Sequence, residues 1–254
     1  MKRPSLAARH AGAIGVVVFL AVWEAAARLV WHDPSVLPGP TQSLAAAFAT
    51  LPPGELADDI ATSLGRIVAG FLIASAAGIV LGMLCGRSRW ASAVLSPFVE
   101  LLRPIPPLAW LPIAIIWFGI GEGSKLFVIG LGAFFPVFSA AWRGTTLVPP
   151  ALIAAARSMD VKGAGLLWQV ILPAALPDIV AGLRIALGLS FGVLVAAELI
   201  AAQHGLGALI MQGRELGQLG LSIFGIVLIG VLSLLADHGL AALARRAVGR
   251  WSAL

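Results

Sequence analysis

Charged residues are scarce in this chain of 254 residues, because Asp, Glu, Lys and Arg together make up only 11% of it. A soluble domain of this size carries about a quarter charged residues. Hydrophobic residues reach 59%, and the mean hydropathy is +0.98. The composition excludes an ordinary soluble domain and predicts an all-α integral membrane protein whose surface largely faces lipid.

Residues for metal, redox and nucleotide chemistry are also few. The single cysteine, Cys85, lies in an apolar run without a partner for a disulfide or a thiolate metal site. No two of the four histidines have metal-ligand spacing. No GxxxxGK[ST] string occurs to cradle phosphates. The net charge of +5 comes without a basic stripe. We therefore expect no catalytic site, no metal, no cofactor and no nucleic-acid partner.

Six apolar runs are each long enough to cross a bilayer, which takes roughly 20 residues. We predict one transmembrane domain over residues 1–254, with both termini on the same side of the membrane. The predicted spans are residues 11–30, 62–85, 92–118, 125–147, 176–201 and 218–243.

The distribution of cations predicts the orientation, because cytoplasmic loops carry an excess of Lys and Arg. Eleven cations fall on the amino-terminal side of the spans and four on the other side, which places both termini in the cytoplasm. The eleven are Lys2, Arg3, Arg9, Arg87, Arg89, Arg143, Arg157, Lys162, Arg245, Arg246 and Arg250; the four are Arg28, Arg66, Lys125 and Arg214.

The first span also resembles a cleavable signal peptide, since Lys2 and Arg3 precede its apolar stretch and small residues follow it. Glu24 and Arg28 are four residues apart and can pair on one helix face, so the apolar run can continue to Trp31. We expect an uncleaved span, although the sequence leaves cleavage open.

Four ionisable residues lie inside the predicted spans: Glu100 and Arg103 in the third, and Arg184 and Glu198 in the fifth. Such groups are costly in lipid and mark either a pathway or an ion pair. Glu100 and Arg103 are three residues apart, and Arg184 and Glu198 lie within about 40° on one helix face. Each pair could therefore neutralise itself rather than contact a solute.

The third span also contains a cluster of prolines at positions 104, 106, 107 and 112, which should kink it by removing backbone donors. Broken helices at membrane depth line cavities. We predict a translocation path that includes Glu100, Arg103, Pro106, Arg184 and Glu198.

Glycines recur at helix-packing spacing in two spans. Gly78, Gly82 and Gly86 do so in the second span, and Gly188 and Gly192 in the fifth. This spacing lets helix backbones approach closely. It is compatible with packing inside one subunit or with a seam between two subunits.

The predicted cytoplasmic loop, residues 149–177, resembles the EAA loop of ATP-binding-cassette (ABC) importer permeases. That pattern is E-A-A, three residues, G, nine residues, I-x-L-P. The chain departs from it at Ala154, where the family has Glu, and at Asp160, where it has Gly, although Asp tolerates a left-handed turn. Val170 replaces the isoleucine, and the matching residues are Ala155, Ala156, Leu172 and Pro173.

A second stretch, Leu102–Lys125, is similar to the branch of that family that imports nitrate, sulfonates, taurine or bicarbonate. The resemblance spans about residues 60–245. Its further matches, in order, are Phe134-Phe135-Pro136, Gly182-Leu183-Arg184, Ala197-Glu198 and Gly205-Leu206-Gly207.

The resemblance implies a type I ABC importer permease in a bacterial inner membrane. It would work with a second permease copy or a paralogue, two ABC ATPase subunits that hydrolyse ATP, and an external solute-binding protein. The substrate would be a small oxyanion, although uncharged heteroaromatic solutes stay open. A secondary transporter or channel driven by an ion gradient is the alternative function.

The same resemblance assigns ATPase coupling to the loop. We predict a docking helix over residues 151–163, started by Pro149 and Pro150, with Leu152, Ala155, Ala156 and Met159 on its docking face. An amphipathic helix lying on the membrane is the alternative. The full coupling set is Pro150, Leu152, Ala154, Ala155, Ala156, Arg157, Ser158, Met159, Asp160, Leu172 and Pro173.

Overall fold

The computed structural model describes residues 6–249, and the side chains of residues 11–246. Three cations of the predicted cytoplasmic set, Lys2, Arg3 and Arg250, lie outside these residues. Every regular element within residues 6–249 is helical. The predicted all-α fold class is confirmed.

Eleven α-helices follow one another along residues 6–249. A π-helical turn, Ala27–Trp31, extends the first, a 3-10 turn, Pro107–Trp110, precedes the fifth, and a π-helical turn, Leu167–Ile171, joins the eighth to the ninth. The helices are α1 Leu6–Ala26, α2 Pro40–Thr50, α3 Pro53–Arg87, α4 Arg89–Leu102, α5 Leu111–Phe118, α6 Glu122–Thr146, α7 Pro150–Ser158, α8 Gly163–Leu166, α9 Leu172–Ala201, α10 Leu206–Glu215 and α11 Leu219–Gly249.

Five helical segments in the described part of the chain are long and apolar enough to cross a membrane. They are Ala11–Trp31, Pro53–Arg87, Glu122–Thr146, Gly163–Ala201 and Leu219–Arg246. The third predicted span, residues 92–118, is split into α4 and α5, which are bent by 89°. The described residues therefore contain five candidate spans, or six if the bent pair counts as one.

The break between α4 and α5 follows from the proline cluster. Proline lacks a backbone N–H and disfavours helical geometry in the residue before it. Ile105 makes only a short turn bond, from its N–H to the Leu102 carbonyl at 3.1 Å, before Pro107 starts the 3-10 turn. The predicted kink is confirmed, and it is sharp enough to separate two helices.

One compact unit consists of residues up to Ala61 together with His204–Ile229. Within it, Glu24 accepts a hydrogen bond from Arg28 Nε at 2.6 Å, as predicted, and another from Thr41 Oγ1 at 2.6 Å. The backbone N–H of Gly205 donates to the Asp59 carboxylate at 2.7 Å. These bonds tie α1 to α2, and the start of α3 to the residue before α10.

The second unit consists of Thr62–Gln203 and the residues from Gly230 onward. In it, α6 and α9 pack along much of their lengths, and α3 contacts α6 through glycines. A Cβ at Gly82 would lie 2.5 Å from the Phe138 carbonyl oxygen, and one at Gly86 would lie 2.6 Å from Thr145 Cβ. The glycines of the second span therefore pack inside one subunit.

The loop helix α7 is shorter than predicted, because it ends at Ser158 rather than at residue 163. Asp160 follows it in the left-handed conformation, with φ of +62°, which ends a helix. The N–H of Val161 donates back to the Ala156 carbonyl at 3.0 Å. The predicted turn at Asp160 is confirmed.

Candidate functional site

The loop helix presents only part of the predicted docking face to solvent. Leu152 is 44% exposed, Met159 is 78% exposed and Ala155 is also exposed. Ala156, by contrast, is 8% exposed and packs in a core cluster of the permease that includes Met83. The inclusion of Ala156 in the docking face is therefore wrong, because its side chain supports α7 from beneath.

The rest of the predicted coupling set falls into two groups. Leu172 and Pro173 are half-buried at the start of α9, where Leu172 packs against the same core cluster. The exposed group lies on α7 and the turn after it, and it consists of Pro150, Ala154, Arg157, Ser158 and Asp160. The exposed part of the loop is thus a small surface around α7.

A cavity of about 630 Å³ opens near the carboxyl-terminal end of α6, from which the chain continues into α7. Glu100 and Arg103, from the end of α4, line it together with Arg143 of α6 and Asp178 of α9. Arg143 donates to the Asp178 carboxylate at 2.7 Å. Four charged side chains from three helices therefore meet at one cavity.

Glu100 and Arg103, both predicted for the translocation path, line this cavity, but they are not paired there. Both side chains are exposed, and neither takes part in an ion pair within residues 11–246. Arg143 and Asp178 neutralise each other, so Arg103 and Glu100 carry the charges available to a solute. A guanidinium keeps its charge at any ordinary pH, and its planar fork matches the oxygens of a carboxylate or sulfonate.

Arg184, a predicted path residue, does not line this cavity. Its guanidinium makes a two-pronged ion pair with Asp237 of α11, with Nε–Oδ1 at 2.8 Å and Nη2–Oδ2 at 2.6 Å. The alternative pairing with Glu198 is wrong, because fourteen residues of α9 separate the two by about 21 Å. Pro106 lies exposed at the break before the 3-10 turn.

Glu198, also predicted for the path, lies in a buried network instead. Its side chain is 0% exposed, accepts from Ser63 Oγ at 2.8 Å and pairs with Arg66 at 2.5 Å. Arg66, itself 6% exposed, also pairs with Glu122 at 2.6 Å, and Lys125 approaches Glu122 at 3.3 Å. This network joins α3, α6 and α9 at the end of these helices opposite to the cavity. Glu198 therefore helps to hold the three helices together.

Sequence reasoning missed that Arg143 and Asp178 line this cavity, and that Arg66 and Lys125 belong to the buried network. Arg143 was used only to predict the orientation of the chain in the membrane. Asp178 lies 35 residues away along the chain. No spacing rule links residues so far apart. Only the packing of α6 against α9 brings them together.

Comparisons with known proteins agree with this architecture. The family described as "binding-protein-dependent transport system inner membrane component" matches residues 78–249. The taurine transport system permease TauC of Escherichia coli is 42% identical over 236 residues, which cover 91% of this chain and 86% of its own length.

Two further relatives carry similar names. SsuC of Escherichia coli, named as an aliphatic sulfonates transport permease, is 38% identical and covers 94% of this chain and 89% of its own length. The nitrate import permease NrtB of Synechocystis is 32% identical, at 90% and 86% coverage.

A solved structure matches the fold. A chain of the inward-facing MetNI methionine ABC transporter has a TM-score of 0.55 at 22% identity, covering 87% of this chain and 98% of its own. With the membrane-spanning helices, the family match and relatives aligned over most of its length, the chain belongs to the binding-protein-dependent transport system inner membrane components, as a multi-pass ABC permease subunit.

Proposed function

We propose that the chain forms the translocation path of an ATP-driven importer for a small oxyanion: a sulfonate, taurine, nitrate or bicarbonate. The observation that carries this proposal is Arg103, a cation without an acidic partner in the described residues, at the charged cavity. Relatives named for taurine, aliphatic sulfonates and nitrate all take solutes with an oxyanion group. The same arginine fork suits each of these groups.

The importer would contain two ATPase subunits, an external solute-binding protein and a second permease copy or a paralogue. Gly188 and Gly192 support a seam between two permeases. Both are exposed, and a Cβ added at either would have no neighbour within 4 Å in the described part of the chain. A second helix could therefore approach α9 closely along this stretch.

Coupling to ATP would run through α7. Its exposed side, around Leu152, Ala155 and Met159, would enter a groove on an ATPase subunit, while Ala156 anchors the helix to the permease core. Closure of the ATPase pair would then move α7 and rock the helices between inward and outward openings. Ala154 lacks the family's glutamate charge, so the docking would rest on shape and apolar contact.

The proposed energy source can be tested with purified components. The chain, its ATPase and its binding protein would be reconstituted in vesicles, and uptake of labelled taurine, nitrate, bicarbonate and an alkanesulfonate would be followed. We expect uptake to require ATP on the ATPase side and to persist when an uncoupler collapses ion gradients. Uptake driven by a proton gradient without ATP would instead establish the secondary transporter.

The role of Arg103 can be separated from that of Glu100 by one pair of variants. We expect Arg103→Gln to lower uptake by at least about tenfold, since losing a charged hydrogen bond to an anion costs roughly 1.5–3 kcal/mol. The double variant Glu100→Gln with Arg103→Gln should transport equally poorly while still assembling with its ATPase. Near-normal uptake by that double variant would show that Arg103 only compensates the charge of Glu100 and does not contact the solute.

The predicted orientation can be checked by labelling single cysteines in a Cys85→Ser background. Ser158→Cys, on exposed α7, should be protected from an impermeant external thiol reagent, whereas Ser35→Cys should react. Both serines are exposed, whereas Ser124 is buried and would be a poor reporter. External labelling at position 158 would contradict the cytoplasmic placement of the loop and the coupling proposal with it.

A further inference from the structure

An apolar groove of about 510 Å³ lies between the end of α3 and the segment that leads into α9. Its floor is buried, with Met83 at 9% and Ile171 at 1% exposure. Its walls are open, with Val80 at 65% and Trp168 at 62%. Among the described residues that line it, Arg87 alone is charged. The groove is thus an open apolar slot with one cation.

The groove lies at the ends of two candidate membrane spans. Arg87 is the last residue of the span Pro53–Arg87, and Gly163 is the first residue of the span Gly163–Ala201; both line the groove. Tryptophan side chains concentrate at the headgroup level of membranes, and Trp168 and Trp90 are exposed at this end of their helices. Lipid headgroups would lie beside the mouth of the groove.

The charge at this mouth is not neutralised by the protein. Neither Arg87 nor the following cation, Arg89, takes part in any ion pair within residues 11–246. Two other cations near the same loop are compensated, since Lys162 pairs with Asp160 and Arg143 pairs with Asp178, whereas Arg157 lies outside the groove on α7. An uncompensated guanidinium at the end of an apolar slot is complementary to a phosphate joined to an acyl chain.

We propose that this groove binds an anionic phospholipid. One acyl chain lies against Val80, Leu84 and Trp168, and the headgroup phosphate meets Arg87. The groove floor, including Met83 and Ile171, belongs to the core cluster that also holds Ala156 of α7. The bound lipid therefore supports the part of the core against which α7 packs. In this way the permease responds to the anionic lipid content of its membrane.

Quenching of Trp168 by brominated lipids tests the proposal. The full chain, assembled with its proposed ATPase subunits, would be placed in phosphatidylcholine vesicles with increasing brominated phosphatidylglycerol or brominated phosphatidylcholine. The signal of Trp168, one of eight tryptophans, is the fluorescence lost in Trp168→Phe. We expect phosphatidylglycerol to quench it at about a fivefold lower fraction than phosphatidylcholine, the preference that one cation provides near an anionic lipid.

Charge variants then locate the headgroup. Arg87→Gln should abolish the preference and Arg87→Lys should largely keep it, whereas Arg246→Gln, an equal charge change on an exposed residue outside the groove, should leave it intact. Equal quenching by the two lipids, or a preference that survives Arg87→Gln, would overturn the proposal. Absence of quenching by either lipid would show that protein covers the groove, which also overturns it.

Discussion

A permease carrying Ala155→Arg is expected to lose at least nine-tenths of its uptake, a drop of about 1.4 kcal/mol or more in coupling free energy. Ala155 is exposed on α7, so an added arginine leaves the permease fold intact. The same side chain would occupy the space in which an ATPase groove must close on Leu152 and Met159. The permease should reach the membrane in normal amount, with its ATPase lost on purification or hydrolysing ATP without transport.

Two matched variants serve as controls for this result. Ala164→Arg places the same charge on an exposed alanine of the same loop outside α7, and it should transport nearly as well as the unchanged protein. Ala156→Arg forces the charge into the core cluster, so the permease itself should be depleted from the membrane. Normal uptake and ATPase retention with Ala155→Arg would remove α7 as the docking helix.

The substitution Arg66→Met is expected to destabilise the permease by roughly 3–5 kcal/mol, because it leaves the carboxylate of Glu198 buried without its cation. Glu122, which is more than half exposed, would keep Lys125 as its partner. The apparent melting temperature in detergent should fall on the order of 10 °C. Fluorescence-detected size exclusion after heating measures this shift.

The second substitution, Glu198→Leu, added to Arg66→Met should recover most of that loss, since a buried pair can be replaced by apolar residues at little cost. Arg28→Met is the matched control. Its partner Glu24 keeps two hydrogen bonds from Thr41, so the melting temperature should change by only a few degrees. A similar fall for Arg66→Met and Arg28→Met would show that burial of the network adds nothing.

Long apolar runs made the membrane spans predictable, because each run must satisfy its own backbone in lipid. The start of α3 was harder to predict from the sequence, because the helix begins at Pro53, nine residues before the predicted span. Its first turns contain Glu55, Asp58 and Asp59, so hydropathy does not reveal them. The proline cluster likewise predicted a break after α4, but not its angle.

Partners of charged residues depend on packing between helices and could not be predicted. Arg184 had a candidate on its own helix, yet Asp237 lies across from it on α11. For α7 the difficulty was different. Its alanines are small on every side, so the sequence gives little contrast between the buried position of Ala156 and the exposed position of Ala155.

The glycine seam between α3 and α6 has a mechanical consequence. Backbones in direct contact, as at Gly82, cannot slide without first separating, and the ion pair between Arg66 and Glu122 ties the same two helices at their far ends. We therefore expect α3 and α6 to move together as one rigid unit. A displacement of α7 would then be expected to shift both ends of this helix pair together.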